Sequence, residues 1–314
     1  MSSIIIIGAG LSGLTCARKL MSSCTVIEGS DRVGGRLHAP RGFDLGGAWT
    51  WPSNDIYLNE LADELRVEKE EQEMGFPAGF GAIRFRGSAF SIAEKLSVGI
   101  SIHKSTRITR IVWGDDEIQA FAHNGQSWKG SKLVLAIPPS DVSKIEFEPP
   151  LPSGVSTVLS TTPTWMAGVG KFCIEFKSRL WTETQLAQIS RAGGPIGQAW
   201  DNSSPSKFAI CGFVFNHSTE KAIRDQVESV VGCKSEHFEY VYWNGDSSEG
   251  ATAFGHPLLQ KGISNSIFFA STESVPDQHG HMEGAVQGGI RAASQVIASL
   301  TVYEKEETKD ACKQ

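Results

Sequence analysis

Ile4-Ile5-Ile6-Ile7-Gly8-Ala9-Gly10-Leu11-Ser12-Gly13 stands near the start of the sequence, and Thr25-Val26-Ile27-Glu28 follows one helix-length later. Four aliphatic β-formers run into Gly8-x-Gly10-x-x-Gly13, and a helical pattern begins there. The order predicts a strand over 4–7, a tight glycine turn, a helix over 11–21 and a second parallel strand over 24–28. Bare glycines let a backbone approach a pyrophosphate, and the helix N-terminus offers it free N–H groups and a favourable dipole. Glu28, at the end of the second strand, is placed to accept hydrogen bonds from a ribose hydroxyl pair. A glycine triplet alone is a weak signal. Here strand, helix and acid all fall where a dinucleotide site needs them.

Composition narrows the field. The 314 residues suffice for one large domain or two smaller ones, with 40% hydrophobic and 20% charged residues. A net charge of −6 gives no basic footprint for nucleic acid. No apolar run can span a bilayer, so no membrane partner is expected. The first strand begins too early to leave room for a signal peptide, and a cytoplasmic location is the expectation. Cys16, Cys24, Cys173, Cys211, Cys233 and Cys312 are scattered without a Cys-x-x-Cys pair, which argues against a metal site and a disulfide frame. Tyr303 to Gln314 reads as a frayed polar tail.

Further along, Ser53-Asn54-Asp55 can cap a helix with Ile56, Leu58, Leu61 and Leu65 on its apolar face. A strand is expected over 83–86, a short helix over 89–97, and a meander over 100–135 with turns at Gly114-Asp115 and Asn124-Gly125. Pro149-Pro150-Leu151-Pro152 marks a crossing between domains. Val169 to Phe176 alternates, with Phe172, Ile174 and Phe176 on one face and Lys171, Cys173 and Glu175 on the other. Strands over 207–215 and 237–243 flank a helix near 218–231. A buried strand over 266–270 precedes a closing helix over 284–300, whose stripe includes Ala285, Val286, Ile290, Ala293, Val296, Ile297 and Leu300.

With these segments placed, the sequence resembles the flavin monoamine oxidase family over most of its length. The resemblance rests on motifs in order: Gly8-x-Gly10-x-x-Gly13 with Glu28, then Asp31-Arg32-Val33-Gly34-Gly35-Arg36, then Asp44-Leu45-Gly46-Gly47-Ala48-Trp49. Gly168-Val169-Gly170-Lys171 with Trp181 comes next, and Phe269-Ala270-Ser271-Thr272-Glu273 with Gly280-His281-Met282-Glu283-Gly284-Ala285 closes the set. It implies an α/β, two-domain FAD-binding oxidoreductase fold: a Rossmann-like βαβ FAD domain over 1–73, 99–163 and 247–314, and a smaller mixed-sheet substrate domain over 74–98 and 164–246.

The resemblance also implies roles. FAD would be held by Gly8, Gly10, Leu11, Ser12 and Gly13 at the pyrophosphate and by Glu28, Gly29 and Ser30 at the ribose. Arg32, Gly34, Gly35 and Arg36 would lie beside the ribityl-phosphate, Arg32 being equally readable as a solvated loop residue, and Ile108 would meet the adenine through its backbone. Gly46, Gly47, Ala48 and Trp49 would lie against the ring, with Ser271, Thr272, Glu273, His281, Met282 and Ala285 at its other end. The Met282 amide and the helix dipole would favour the negative charge that reduction places there. Lys171, together with His281, Thr252 and Trp49, is the expected catalytic set. The family's matching lysine reaches a water at flavin N5; the alternative is an exposed strand lysine paired with Glu175.

Three departures qualify the resemblance. The two aromatic rings that family members place before the flavin are replaced by His281 and Thr252. His281 can hydrogen-bond substrate, act as a base or simply pack on the ring. Ala251 occupies the position used for covalent attachment, which implies non-covalent FAD. The helical cap is reduced to about residues 74–98, leaving a more open pocket or one completed by a homo-oligomer. The leading expectation is an FAD-dependent oxidase that takes hydride from a carbon next to nitrogen in a small-molecule substrate, with O2 reoxidising the flavin to give hydrogen peroxide. A desaturase or dihydronicotinamide oxidase, and a flavin-binding protein without turnover, are the alternatives.

Overall fold

The structure, a computed structural model, describes residues 4–114, 117–243 and 252–311. Its elements begin with β1 (Ile4–Ile7), α1 (Leu11–Leu20), β2 (Cys24–Ile27), β3 (Trp49–Thr50), α2 (Ile56–Glu64), β4 (Lys69–Glu71), β5 (Ile83–Phe85) and α3 (Phe90–Ser97). There follow β6 (Ile102–His103), β7 (Ile108–Trp113), β8 (Ile118–Ala122), β9 (Ser127–Gly130), β10 (Lys132–Leu135), α4 (Pro139–Val142), β11 (Glu146–Glu148) and α5 (Ser153–Thr161). The remainder is β12 (Val169–Phe176), α6 (Glu183–Arg191), β13 (Ile196–Asp201), β14 (Phe208–Val214), α7 (Glu220–Val231), β15 (His237–Trp243), α8 (Pro257–Lys261), β16 (Ile267–Phe269) and α9 (Met282–Ala311). The chain divides into two compact units, Met1–Arg36 with Ile92–Trp165 and Ser248–Gln314, and Leu37–Ser91 with Met166–Ser247.

The first unit is built on a parallel five-stranded sheet ordered β16-β10-β1-β2-β6. The isoleucine run of β1 sits in its centre, fully buried, as a strand covered on both faces requires. Ile5 and Ile7 join Leu133, Leu135 and Phe269 in one core with Ile111, Ile118 and Ala120 of the β7–β8–β9 meander. Helices α1 and α9 pack together, and a Cβ on Gly289 would lie 2.4 Å from the Ser12 carbonyl oxygen, so only glycine permits that approach.

The second unit centres on an antiparallel sheet ordered β13-β14-β12-β15. Its strand β12 is covered on both sides. Phe172, Ile174 and Phe176 pack with Trp181, Leu186, Ile189, Ile223 and Val227, while Cys173 packs with Phe43, Leu45, Trp200, Ala209 and Cys211. Each large apolar side chain so buried contributes about 2 kcal/mol. A small sheet, β3-β5-β4, belongs to the same unit.

The structure differs from the sequence reading at identifiable places. Residues 37–73 lie in the second unit, not the first, because β3 and β4 pair with β5, and residues 92–98 lie in the first. The chain crosses between units after Trp165, two residues beyond the 163/164 bound that the resemblance implied and not at Pro149–Pro152; Pro152 instead precedes α5 as its N-cap. Helix α6 and strand β13 had no counterpart in the reading, although Thr182 and Gln185 form a reciprocal capping box that marks the start of α6. Ile56 and Ile297, placed on apolar faces, are exposed: Ile56 stands on the far side of α2 from Leu58, Leu61 and Ala62, and Ile297 lies at the rim of the buried face of α9. The closing helix continues to Ala311, where a frayed tail was expected from Tyr303; Glu and Lys are good helix formers, and residues 312–314 lie outside the described ones. Asp115 of the expected turn lies outside them too.

Candidate functional site

In the first unit the glycine turn is shaped by contacts that exclude side chains. Gly8 has φ +105°, and a Cβ there would meet the Ala136 carbonyl oxygen at 2.8 Å. A Cβ on Gly13 would lie 2.0 Å from the Gly8 carbonyl oxygen. The loop at Gly34 is fastened to this turn by its N–H, which donates to the Ala9 carbonyl at 2.8 Å. Gly35, at φ +55°, would bring a Cβ to 3.1 Å from Gly10 Cα. Helix α1 starts at Leu11, so the N–H groups of Leu11, Ser12 and Gly13 belong to a first turn that lacks intrahelical acceptors. The Glu28 carboxylate at the end of β2 accepts from the Ala9 N–H at 2.7 Å and, through its other oxygen, from the Ser30 N–H at 2.8 Å and Ser30 Oγ at 2.7 Å. A carboxylate has about four lone-pair sites, so acceptor capacity remains for a ribose. A bare glycine cradle, a helix N-terminus and an acid fixed beside them fit a dinucleotide such as FAD.

The other residues expected near the cofactor have the following surroundings. Gly29 and Ser30 are exposed next to Glu28. Arg32 donates to the Val33 carbonyl at 3.1 Å and the Gly35 carbonyl at 2.9 Å, so it braces its own loop. Ile108 is buried in β7, within the sheet core. Arg36 forms a two-pronged ion pair with Glu273, at 2.7 and 3.1 Å, and the Glu273 side chain is 0% exposed. The Trp165 N–H also reaches Glu273, at 3.4 Å. Ser271 and Thr272 are buried beside it.

Helix α9 opens at Met282, two residues before the 284 at which the closing helix was expected to start. The His281 carbonyl accepts from the Ala285 N–H at 3.2 Å and from Thr272 Oγ1 at 3.1 Å, which pins the helix start to the Ser271–Glu273 segment. The His281 side chain is exposed. Its ring lies 5.5 Å from that of Trp165, which also meets His279 at 5.8 Å and Phe254 at 6.1 Å. Gly280 makes room for this indole: a Cβ there would fall 2.1 Å from the ring. Thr252 shares a 2.6 Å hydrogen bond with Thr161. Ala251, expected at the covalent-attachment position, lies outside the described residues.

In the second unit Lys171 is 2% exposed at the centre of β12. Its register partners are Phe213 on β14 and Val241 on β15. Its Nζ donates to the Gly46 carbonyl at 2.9 Å and stands 4.7 Å from the Trp49 ring centre, 5.1 Å from Trp200 and 5.6 Å from Phe213. Rings around a desolvated ammonium supply about 2 kcal/mol of cation–π attraction. Glu175 does not pair with it, because Glu175 is taken by Arg41. Asp44 is buried in the same unit, its two oxygens accepting from the Ala89 N–H at 3.1 and 3.0 Å. Burial lowers the Lys171 pKa to about 8 against the opposing pull of Asp44, and burial raises that of Asp44 to about 7 against the pull of Lys171. Burial thus moves both groups toward neutrality, the range in which side-chain proton transfer is most effective. The Gly46–Trp49 segment contributes directly: Gly46 and Trp49 contact the ammonium, Ala48 is buried, and Gly47 lies between them half-buried.

Sequence reasoning did not give Asp44 a role of its own and did not find Phe213 as a wall beside Lys171, or Trp165 and Phe254 beside His281. Strand pairing would have located Phe213, since it stands opposite Lys171. The others come from loops whose course no local pattern reveals. Among the described residues no cluster of His, Cys, Asp and Glu could hold a metal ion, and no helix is long and apolar enough to cross a membrane.

Comparison with known proteins bears on both units. The family described as "Flavin containing amine oxidoreductase" matches residues 11–97 and 88–297. Amine oxidase [flavin-containing] of Danio rerio is 27% identical over 250 residues, covering 69% of this chain and 47% of that protein. Amine oxidase [flavin-containing] B of Cavia porcellus is 26% identical over 256 residues, covering 71% and 49%. The chain thus spans about half the length of the curated relatives it matches. Cyclohexylamine oxidase from Brevibacterium oxydans superposes with a TM-score of 0.77 at 16% identity, covering 96% of this chain and 99% of that one. Wild-type putrescine oxidase bound to putrescine gives 0.73 at 17%, covering 95% and 99%. These structural likenesses show the fold.

Proposed function

We propose, since the chain belongs to the flavin containing amine oxidoreductase family, that it is an FAD-dependent oxidase acting on a carbon next to nitrogen. FAD, when bound, supplies the hydride acceptor for the C–H bond beside the nitrogen. The observation that carries the proposal is Lys171, a buried amine in an aromatic box with a pKa of about 8, in a chain that also has an intact dinucleotide cradle.

In this reading Gly8, Gly10 and Gly13 with the α1 N-terminus bind the pyrophosphate, and Glu28 the adenosine ribose. The first turn of α9 at Met282 orients its dipole toward developing negative charge. The cofactor is held without a covalent link. Lys171 holds and releases a proton through Nζ, with Trp49, Trp200 and Phe213 excluding bulk water from it. That proton handling serves reoxidation by O2, with hydrogen peroxide as product. His281 and Thr252, where relatives place two rings, cannot sandwich a small neutral amine. A secondary amine, an amino acid derivative or an alkaloid-like intermediate suits them better.

The test is the visible spectrum of the purified protein, followed by anaerobic titration with a panel of such amines. Bleaching of the flavin band and peroxide release on readmission of air are expected. A flavin that stays oxidised with every amine would reject the reading. A second reading, a dihydronicotinamide oxidase or desaturase, draws on the exposed polar side chain of His281, and predicts bleaching by a dihydronicotinamide with amines inert.

A further inference from the structure

A second concavity lies wholly within the second unit. It encloses about 210 Å³ and is lined by Arg41, Arg84 and Lys207 together with the hydroxyl-bearing hairpin loop between β13 and β14. That volume is below the roughly 300 Å³ at which drug-sized ligands are housed, so it suits a ligand of few heavy atoms. Its donors are in excess. Lys207 donates to the Arg41 carbonyl and stands 5.3 Å from the Phe43 ring, and no carboxylate lies within ion-pair distance of it among the described residues. The hydroxyls of Ser204 and Ser206 make no hydrogen bond among the described residues, and both side chains are exposed at the rim.

One lining residue carries an unexplained atom. Arg84 is held by Glu70 at 2.9 Å and by Asn202, yet its Nε–H is buried and lacks an acceptor. A buried guanidinium N–H left unmade is costly, and such a group usually has a partner that comes from solvent or a ligand. Arg41 commits its Nε to Glu175 and stays about one-third exposed. The acids lining the cavity do not cancel this excess. Glu70 is already shared between Arg84 and Arg86, and Asp44 directs both oxygens to a backbone N–H.

We propose that this cavity binds a small dianion, a phosphate group or a short dicarboxylate, through Lys207, Arg41, Arg84 and the Ser204–Ser206 hydroxyls. The Lys207 ammonium and the partly exposed Arg41 guanidinium match its charge, the Arg84 Nε–H offers one buried donor, and the serine hydroxyls add neutral donors. All its lining residues belong to the second unit, and the proposal does not depend on the reading of the reaction.

The experiment uses protein with FAD in excess, so that added anion does not compete for the cradle. Melting temperature is followed against inorganic phosphate and, separately, malonate, each compared with sodium chloride at equal ionic strength. Non-specific salting by phosphate also raises melting temperatures but does not saturate. A saturable rise with a low-millimolar midpoint is expected for at least one anion, and whichever of the two binds tighter names the ligand class. Lys207→Gln should weaken that midpoint at least tenfold, and so should Ser206→Glu, which puts a carboxylate at the rim; both positions are exposed and leave the core intact. The absence of a saturable rise with either anion overturns the proposal, as does a rise that either variant leaves unchanged.

Discussion

Replacing Lys171 by Met tests the centre of the proposed chemistry, and the structure sets the size of one of its effects. In the unfolded chain the amine keeps its proton up to about its ordinary pKa of 10.5; in the folded protein burial makes it release the proton near 8. Between those values the unfolded state binds more protons, so stability must rise with pH there. At 1.36 kcal/mol per pH unit the rise due to this one group is about 3 kcal/mol. Met fills similar space with no charge. The Lys171→Met variant should therefore lose that rise between pH 8 and 10.5, read as the difference between the urea unfolding free energies of the two proteins. Asp44, deprived of its cationic neighbour, should titrate higher still in the variant, which enlarges the difference. The same variant should reoxidise its reduced flavin about a hundredfold more slowly in stopped-flow mixing with air-saturated buffer, the scale expected for loss of a positioned proton-transfer group. A variant whose stability climbs over pH 8 to 10.5 as steeply as the parent's would show that Lys171 does not titrate in a buried setting. Unchanged reoxidation would remove its assigned role even if the stability result held.

Other outcomes follow from the same geometry. Asp44 works with the opposite sign: its folded pKa of about 7 lies above the unfolded 3.8, so it contributes stability at low pH that is lost as pH rises toward 7, by about 4 kcal/mol, and Asp44→Asn should flatten that decline in a pH series of melting curves. Gly13→Ala forces a Cβ to within 2.0 Å of the Gly8 carbonyl oxygen and should cost about 3 kcal/mol of stability and most of the FAD affinity, measured by retained flavin absorbance after gel filtration. Arg36→Ala strands the buried Glu273 carboxylate; because the guanidinium is about one-third exposed, the loss should be about 2 kcal/mol, read from the urea unfolding free energies of the two proteins.

The first unit was the more legible in sequence because its signals are local. Strand, glycine turn, helix and acid occupy 4–28, and each residue's place there depends on neighbours within one βαβ step. The closing strand and helix were legible for a like reason: β16 is a short apolar run, and α9 carries a helical stripe. The second unit hid more. Lys171 could be marked as the unusual member of an alternating strand, but alternation alone says which residues share a face, not whether that face meets solvent. Burial of the Lys171 face comes from Phe43, Leu45 and Trp200, supplied by a loop and a strand far away in sequence. The same distance hid the assignment of 37–73, whose short strands β3 and β4 join only through β5. Trp165 escaped because its partner is a glycine, Gly280, and a glycine leaves no trace of what it accommodates.

The chain passes from one unit to the other after Arg36, Ser91, Trp165 and Ser247. Its first unit is thus left unfinished until the last segment arrives, since β10 takes β16 as its edge partner and α1 takes α9 as its cover. The second unit has all its strands once residue 243 has emerged. During synthesis, then, the half begun first is the half completed last, and the nascent glycine turn must wait, lacking its covering helix, while about 250 further residues leave the ribosome.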